Sequence, residues 1–414
     1  MNNDHSNIKI IADDKFKTAT ICLMLRRPLK REEATKNALL ADVLGSGTLN
    51  YPNLYEINKY MEELYGAIFQ SLIVKKGEFQ IIRLYIEFVS VMDENLLTQA
   101  VEFLREVLLN PLVKNERFDK EIFENQKNML RDTISERIND KSSYARLKCI
   151  ENMCKDEPFG IHADGYDEDL DAIDEKVLYE HYKNLIETTP LEFIASGNID
   201  AEKFKALVNG NFPEAGKVDV KMPKFLAQAS KNKPTCHEEV LKINQSKICM
   251  GFRADQGYKG KDFYTFLVLN EVLGGSGNSK LFINVREKAS LCYDIFSFLF
   301  RAKSILMIQS GVETKNVETA IGKINEQLQA IREAEVSDDE LYMAKQSLTS
   351  GLRAITDSQG SILDFNYTQY MLNDSDSLSD IIEGIDKVSI DDIVKLANII
   401  YADTIYILRG EKDE

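Results

Sequence analysis

The sequence predicts an α+β protein of two homologous domains, each an antiparallel sheet flanked by helices, and three observations carry that expectation. The chain has 414 residues, two to three times the usual size of one domain. Its halves repeat: an apolar helical stripe that follows Asn95 returns after Asn316, 221 positions later. Upstream of each stripe lie apolar or alternating runs of strand type, FQSLIV with FQIIRLYIEFV in the first half and DIFSFLF with SILMIQSGV in the second.

Taken in order, Leu97, Ala100, Val101, Leu104 and Leu108 fall at helical spacing, and Pro111 ends the run because it has no N–H to continue the ladder. Val317, Ala320, Ile321, Ile324, Leu328 and Ile331 repeat the stripe. FENQKNML (123–130) and LYMAKQSL (341–348) open a second pair of helices, 218 positions apart, with Lys127 and Lys345 in corresponding places. Ala172-Ile173-Asp174 starts a short helix that leads to the strand LEFIASGN (191–198), and Ser389-Ile390-Asp391 leads likewise to TIYILRGE (404–411). The Lys-rich, Pro-containing stretch 216–239 reads as a linker, which places the domains at 1–215 and 240–414.

Composition narrows the function. With 51 Lys and Arg against 67 Asp and Glu, a net charge of -16 repels a phosphate backbone, so nucleic acid is not expected as a partner. The Thr18–Leu25 run is too short to cross a bilayer and no small-residue cleavage site follows it, so neither a signal peptide nor a membrane partner is expected. Cys22, Cys149, Cys154, Cys236, Cys249 and Cys292 form no Cys-x-x-Cys pair, as in a protein of the reducing cytoplasm. The four histidines, His5, His162, His181 and His237, leave few places for histidine chemistry. His237-Glu238-Glu239-Val240-Leu241 begins like His-Glu-x-x-His and fails at Leu241.

The most informative stretch is LNEVLGGSGNSKLFINVREKASLCYDIFSFL, 269–299. A helix stops at Gly274 and Gly275, Ser276 or Asn278 caps the next, and a strand begins near Tyr293. The order Asn278-Ser279-Lys280 is wrong for a phosphate loop, which ends in Gly-Lys-Ser/Thr. Gly274, Gly275, Ser276 and Gly277 are instead candidates for a backbone passing close to a bound peptide.

This stretch resembles the second half of the pitrilysin/insulinase-type (M16) metallopeptidases, with their pattern LGG-x-x-S-x-LF-x-x-(V/L)RE-x-x-x-L-x-Y. The likeness runs over nearly the whole chain, taking in SGNID at 196–200 and MEELYGAIFQSLIVKKGEF at 61–79. The phrases RRPL, TKNALLA and YPNLYEI are similar to paired peptidase-like proteins of low-GC Gram-positive bacteria. The resemblance implies a clamshell of two halves around an unfolded peptide, with zinc held on one half by His-x-x-Glu-His and a distant glutamate. The other half lends an arginine and a tyrosine, which match Arg286 and Tyr293.

The zinc half departs from the pattern. Aligning Gly47-Thr48 with the family's Gly-Thr pair sets Ala38, Ala41 and Asp42 where the two histidines and the glutamate belong, and the third ligand falls near Thr133. Catalytic zinc needs three protein ligands and a water, so no metal or other cofactor is expected in this chain. The resemblance then implies the non-zinc subunit of a two-chain zinc metalloendopeptidase. A homologous His-x-x-Glu-His partner would supply zinc, the general base and a strand edge for the peptide, and Arg286 and Tyr293 would complete its site. The alternatives are a homodimer and a catalytically inactive scaffold or peptide-binding protein.

Overall fold

The structure is a computed structural model and describes residues 7–213, 233–254 and 259–411. The chain divides into two compact units, one of Met1–Glu136, Ile161–Met222 and Ser358–Thr368, the other of Arg137–Gly160, Pro223–Asp357 and Gln369–Glu414. Beside the expected domains 1–215 and 240–414, the units exchange two segments: 137–160 belongs with the second and 358–368 with the first. The expected linker lies outside the described residues from 216 to 232, and its end forms a strand.

In the first unit the strands are β1 (Ile8–Ala12), β2 (Ala19–Pro28), β3 (Ile68–Lys76) and β4 (Phe79–Phe88), the small hairpin β5 (Val113–Lys114) and β6 (Arg117–Phe118), and β7 (Leu191–Gly197). The five-stranded sheet runs β1-β7-β2-β4-β3, antiparallel except that β1 lies parallel to β7. β2 and β7 are covered on both faces, and their sequences are correspondingly almost continuous in apolar residues. Ile21, Leu23, Leu25, Leu84, Ile86 and Phe193 meet helical residues such as Leu39, Leu104 and Phe204 in one core.

The other face, with Cys22, Met24, Ile81, Arg83 and Tyr85, is met by Gly360, Leu363 and Tyr367 of the exchanged segment. The segment is fixed by polar bonds. Gln359 accepts from Thr18 and Thr20 at 3.0 and 2.8 Å and donates to the Thr18 carbonyl at 2.7 Å. Tyr367 donates to Glu192 at 2.7 Å, and Glu192 pairs with buried Arg26 at 2.5 Å.

The second unit repeats this order with β8 (Thr235–Leu241), β9 (Ser246–Arg253), β10 (Cys292–Phe300), β11 (Ile305–Val312) and β12 (Tyr401–Gly410). Its sheet runs β10-β11-β9-β12-β8, again antiparallel except for the first strand, β8, which is parallel to the last. The exchanged helix Lys141–Met153 lays Ala145, Cys149, Ile150 and Met153 against Cys249, Ile305, Met307, Tyr406 and Leu408. Arg253 bridges Glu157 at 2.7 Å and Asp403 at 2.9 Å, and Lys303 reaches Glu157 at 2.9 Å, so carboxylates neutralise cations that would be costly to bury alone.

The repeated residues do the same work twice. Lys127 and Lys345 each donate to a backbone carbonyl at 2.9 Å, of Ile173 and Asp386, just ahead of the helices 175–188 and 390–399. Those helices are capped by Asp174 and Ser389, whose side chains accept the otherwise unpaired first N–H groups. Asn95 and Asn316 stand at the N-caps of 96–109 and 317–332 but make no side-chain capping bond. Of the cysteines, Cys236 is exposed and the other five are buried and free.

Candidate functional site

The segment where a zinc motif would stand is the helix Arg31–Leu44. Ala38 and Ala41 are 1% and 0% exposed, packed into the first core with no donor atom to offer a metal. Asp42 faces instead into a cavity of about 360 Å³ lined also by Ser46, Leu54, Met61, Ile68, Ser71 and Gln126. Ser71 of β3 donates to the Ala41 carbonyl at 2.6 Å, and Ser46 to the Asp42 carbonyl at 2.7 Å, which closes the helix end against the edge strand. The strand approaches this closely because a Cβ on Gly45 would lie 2.7 Å from that of Ser71.

Burial raises the Asp42 carboxyl to about 7, and the negative charge of Asp164 adds to the rise. Among the described residues no group of three His, Cys, Asp or Glu is placed to hold a metal ion. One carboxylate beside two alanines does not fit zinc. Thr133, the position expected for the distant ligand, is exposed and returns its hydroxyl to the Met129 carbonyl at 2.9 Å. The residue of that helix that lines the cavity is Gln126, which sequence reasoning missed because only the helix register shows it.

Of the four histidines, His181 and His162 pack against neighbours in the first unit. His181 Nε2 lies 2.7 Å from Asn37 Oδ1, and burial pushes this imidazole down to about 4. His162 packs edge-on against Tyr166, His237 lies on β8, and His5 is outside the described residues.

In the second unit, the LGG motif and the arginine motif form two short π-helices, Glu271–Gly275 and Phe282–Lys288. π-helical turns are rare and frequently accompany functional sites. Gly274 lets the first abut β10, since a Cβ there would lie 2.7 Å from Ser297 Oγ. Gly275 and Gly277 are exposed, and Ser276 is half-buried. The start of the second is held by neither Ser276 nor Asn278, the expected caps. Ser279 takes that place, with its hydroxyl 3.4 Å from the Phe282 N–H, because it stands three residues ahead of the first free N–H.

Ser290, in the left-handed region at φ 52, turns the chain out of the helix, and its N–H returns to the Arg286 carbonyl at 3.1 Å. Arg286 is partly exposed, stacks over Phe282 at 4.5 Å and stands a long 3.9 Å from Glu287. Burial pushes the neighbouring Cys292 thiol up, and the Arg286 charge is among the influences that pull it down.

Tyr293 follows at a β-bulge. Cys292 pairs with Val312 and Asp294 with Gly311, so Tyr293 is the extra residue without a partner in the ladder. A bulge re-aims its side chain, and Tyr293 is 63% exposed. A phenol and a guanidinium offered to solvent from one turn-and-bulge unit supply directional donors for a carbonyl or carboxylate.

The family model described as "Peptidase M16 inactive domain" matches residues 172–348. A curated relative from Bacillus subtilis, "Probable inactive metalloprotease YmfF", is 30% identical over 408 residues, covering 97% of this chain and 95% of that one. The chain belongs to the M16 peptidase family. A second B. subtilis relative, "Uncharacterized zinc protease YmxG", is 27% identical over 179 residues, 41% of this chain and 43% of that protein. Among solved structures, a conserved protein from Enterococcus faecalis superposes with a TM-score of 0.89 at 25% identity over 98% of this chain and 97% of the other. An M16 inactive domain from Pseudomonas fluorescens gives 0.79 at 16% identity over 98% and 96%, which extends the fold likeness to distant members. This M16 chain thus has the duplicated fold of the family.

Proposed function

We propose that this M16 chain is the non-zinc subunit of a two-chain metalloendopeptidase of the cytoplasm. A homologous His-x-x-Glu-His subunit provides the metal, whose bound water is the nucleophile for peptide hydrolysis when zinc is present. Arg286 binds and orients a substrate carbonyl or carboxylate through its forked donors. Tyr293 donates one hydrogen bond where negative charge develops on the scissile carbonyl oxygen.

The observation that carries this reading is the bulge at Tyr293. A tyrosine kept for stability alone would face the core, whereas this one is 63% exposed, and Arg286, seven residues earlier in the chain, stands 3.9 Å from the Glu287 carboxylate. The test is to co-purify the chain with a His-x-x-Glu-His homologue and measure peptide cleavage. Arg286→Ala and Tyr293→Phe are expected to lower kcat/KM by about 10²-fold or more, as loss of a transition-state donor does. Lysine at 286 will not restore activity, because it lacks the fork. Unchanged cleavage in both variants would overturn the reading and favour a scaffold.

A further inference from the structure

The cavity at Asp42 has no part in the proposal above. Its volume, about 360 Å³, falls at the lower end of small-ligand sites. Leu54, Ile57, Met61, Ala67 and Ile68 give it apolar walls, and Asp42 is the one charged residue in its lining. The Asp42 carboxylate has no hydrogen bond or ion pair to any described residue, and its neighbour Asp164 adds negative charge instead of neutralising it. An uncompensated carboxylate at an apolar wall costs stability, which is the pattern of a binding group. Leu54 and Ile68, 51% and 52% exposed, stand at the cavity as apolar surface open to an incoming chain.

We infer that the cavity at Asp42 binds a primary ammonium carried on an aliphatic stem, with the stem against Leu54, Ile57, Met61 and Ile68 and the charged head on the Asp42 carboxylate. An anion is repelled by Asp42 and Asp164. A bare divalent ion would find one carboxylate, since the remaining polar lining, Ser46, Asn58, Gln70, Ser71 and Gln126, is neutral. A purely apolar ligand would leave the carboxylate buried without a partner. The same chemistry is available from a lysine side chain of a polypeptide and from a free alkylamine.

Calorimetric titration of the full chain, without a partner subunit, separates these outcomes. The probes are a short acetylated peptide with a central lysine, the same peptide with norleucine, and 1,5-diaminopentane. The lysine peptide is expected to bind at least tenfold tighter than the norleucine peptide, and Asp42→Asn to remove the difference. Ile68→Lys, at an exposed position, places a competing ammonium at the cavity and is expected to weaken the lysine peptide at least tenfold without disturbing the core.

Tight binding of the diamine together with the peptide identifies a free amine as sufficient; binding of the peptide alone identifies a lysine side chain. Equal binding of the lysine and norleucine peptides, or no binding of any probe at millimolar concentration, would overturn the inference. Arg286→Ala leaves this binding unchanged, so its outcome is independent of the two-chain reading.

Discussion

Asp42→Asn isolates one carboxyl whose charge the fold tolerates poorly. In the unfolded chain this group ionises near 3.8, and in the folded chain it holds its proton to about 7. Between those values the folded state binds more protons than the unfolded, so stability is present at low pH and is lost as pH rises through 7. A rise of about three units at about 1.4 kcal/mol each sets a ceiling of ~4 kcal/mol. Because the carboxylate opens onto a cavity and is partly screened, the expected cost is about 2 kcal/mol. Asparagine has nearly the same shape and no charge, and the Asp42 side chain makes no hydrogen bond that the change would break. Urea unfolding of both proteins at pH 4, 5, 6, 7 and 8 should show nearly equal stability at pH 4, a gap that widens between pH 4 and 7, and Asp42→Asn ahead by about 2 kcal/mol at pH 8. A difference that does not grow with pH, or a variant less stable at pH 8, would refute the reasoning.

Three further outcomes follow from other sites. Glu157→Gln removes the carboxylate shared by Arg253 and Lys303, both almost fully buried, and should cost about 3–5 kcal/mol in chemical denaturation of the second unit. Gly274→Ala drives a methyl into Ser297 of β10 and should lower stability by about 1–3 kcal/mol, read as a shift in thermal midpoint. His181, neutral in its site down to about 4, favours the folded chain above 6.5 and loses that advantage as pH falls from 6.5 to 4; His181→Gln should flatten this acid limb of the stability profile.

The parts of the fold that were legible in the sequence are those written in local periodicity. The paired stripes after Asn95 and Asn316 are helices, and Lys127 and Lys345 each hold a backbone carbonyl that precedes the next helix. The edge strand β8 was concealed in the supposed linker, because TCHEEVL is exposed along most of its length and shows no buried face to read. The exchanged helix 141–153 buries Ala145, Cys149, Ile150 and Met153 against strands about a hundred residues or more away, a choice of partner that no local pattern records.

The two candidate sites divide in the same way. Arg286 and Tyr293 were legible as a motif, whereas the exposure of Tyr293 depends on a two-against-one register between β10 and β11. Ala38 and Asp42 stand where the resemblance expects histidines, and Ala41 where it expects the glutamate. The cavity beside Asp42 depends on how close Ser71 comes to Gly45, and Gln126 enters it only through the register of its helix.

Each unit draws one segment from the other half of the sequence, 137–160 for the second and 358–368 for the first. Neither half of the polypeptide contains a whole unit, so a fragment ending at 215 lacks the helix that seats on β2 and β4, and one starting at 240 lacks the helix that seats on β9 and β12. Cutting the chain between 216 and 232 therefore should not release two independent proteins. The pieces should co-elute as a complemented pair, each insoluble when expressed alone, and a half-length ancestor with this topology would have been obliged to fold as an intertwined dimer.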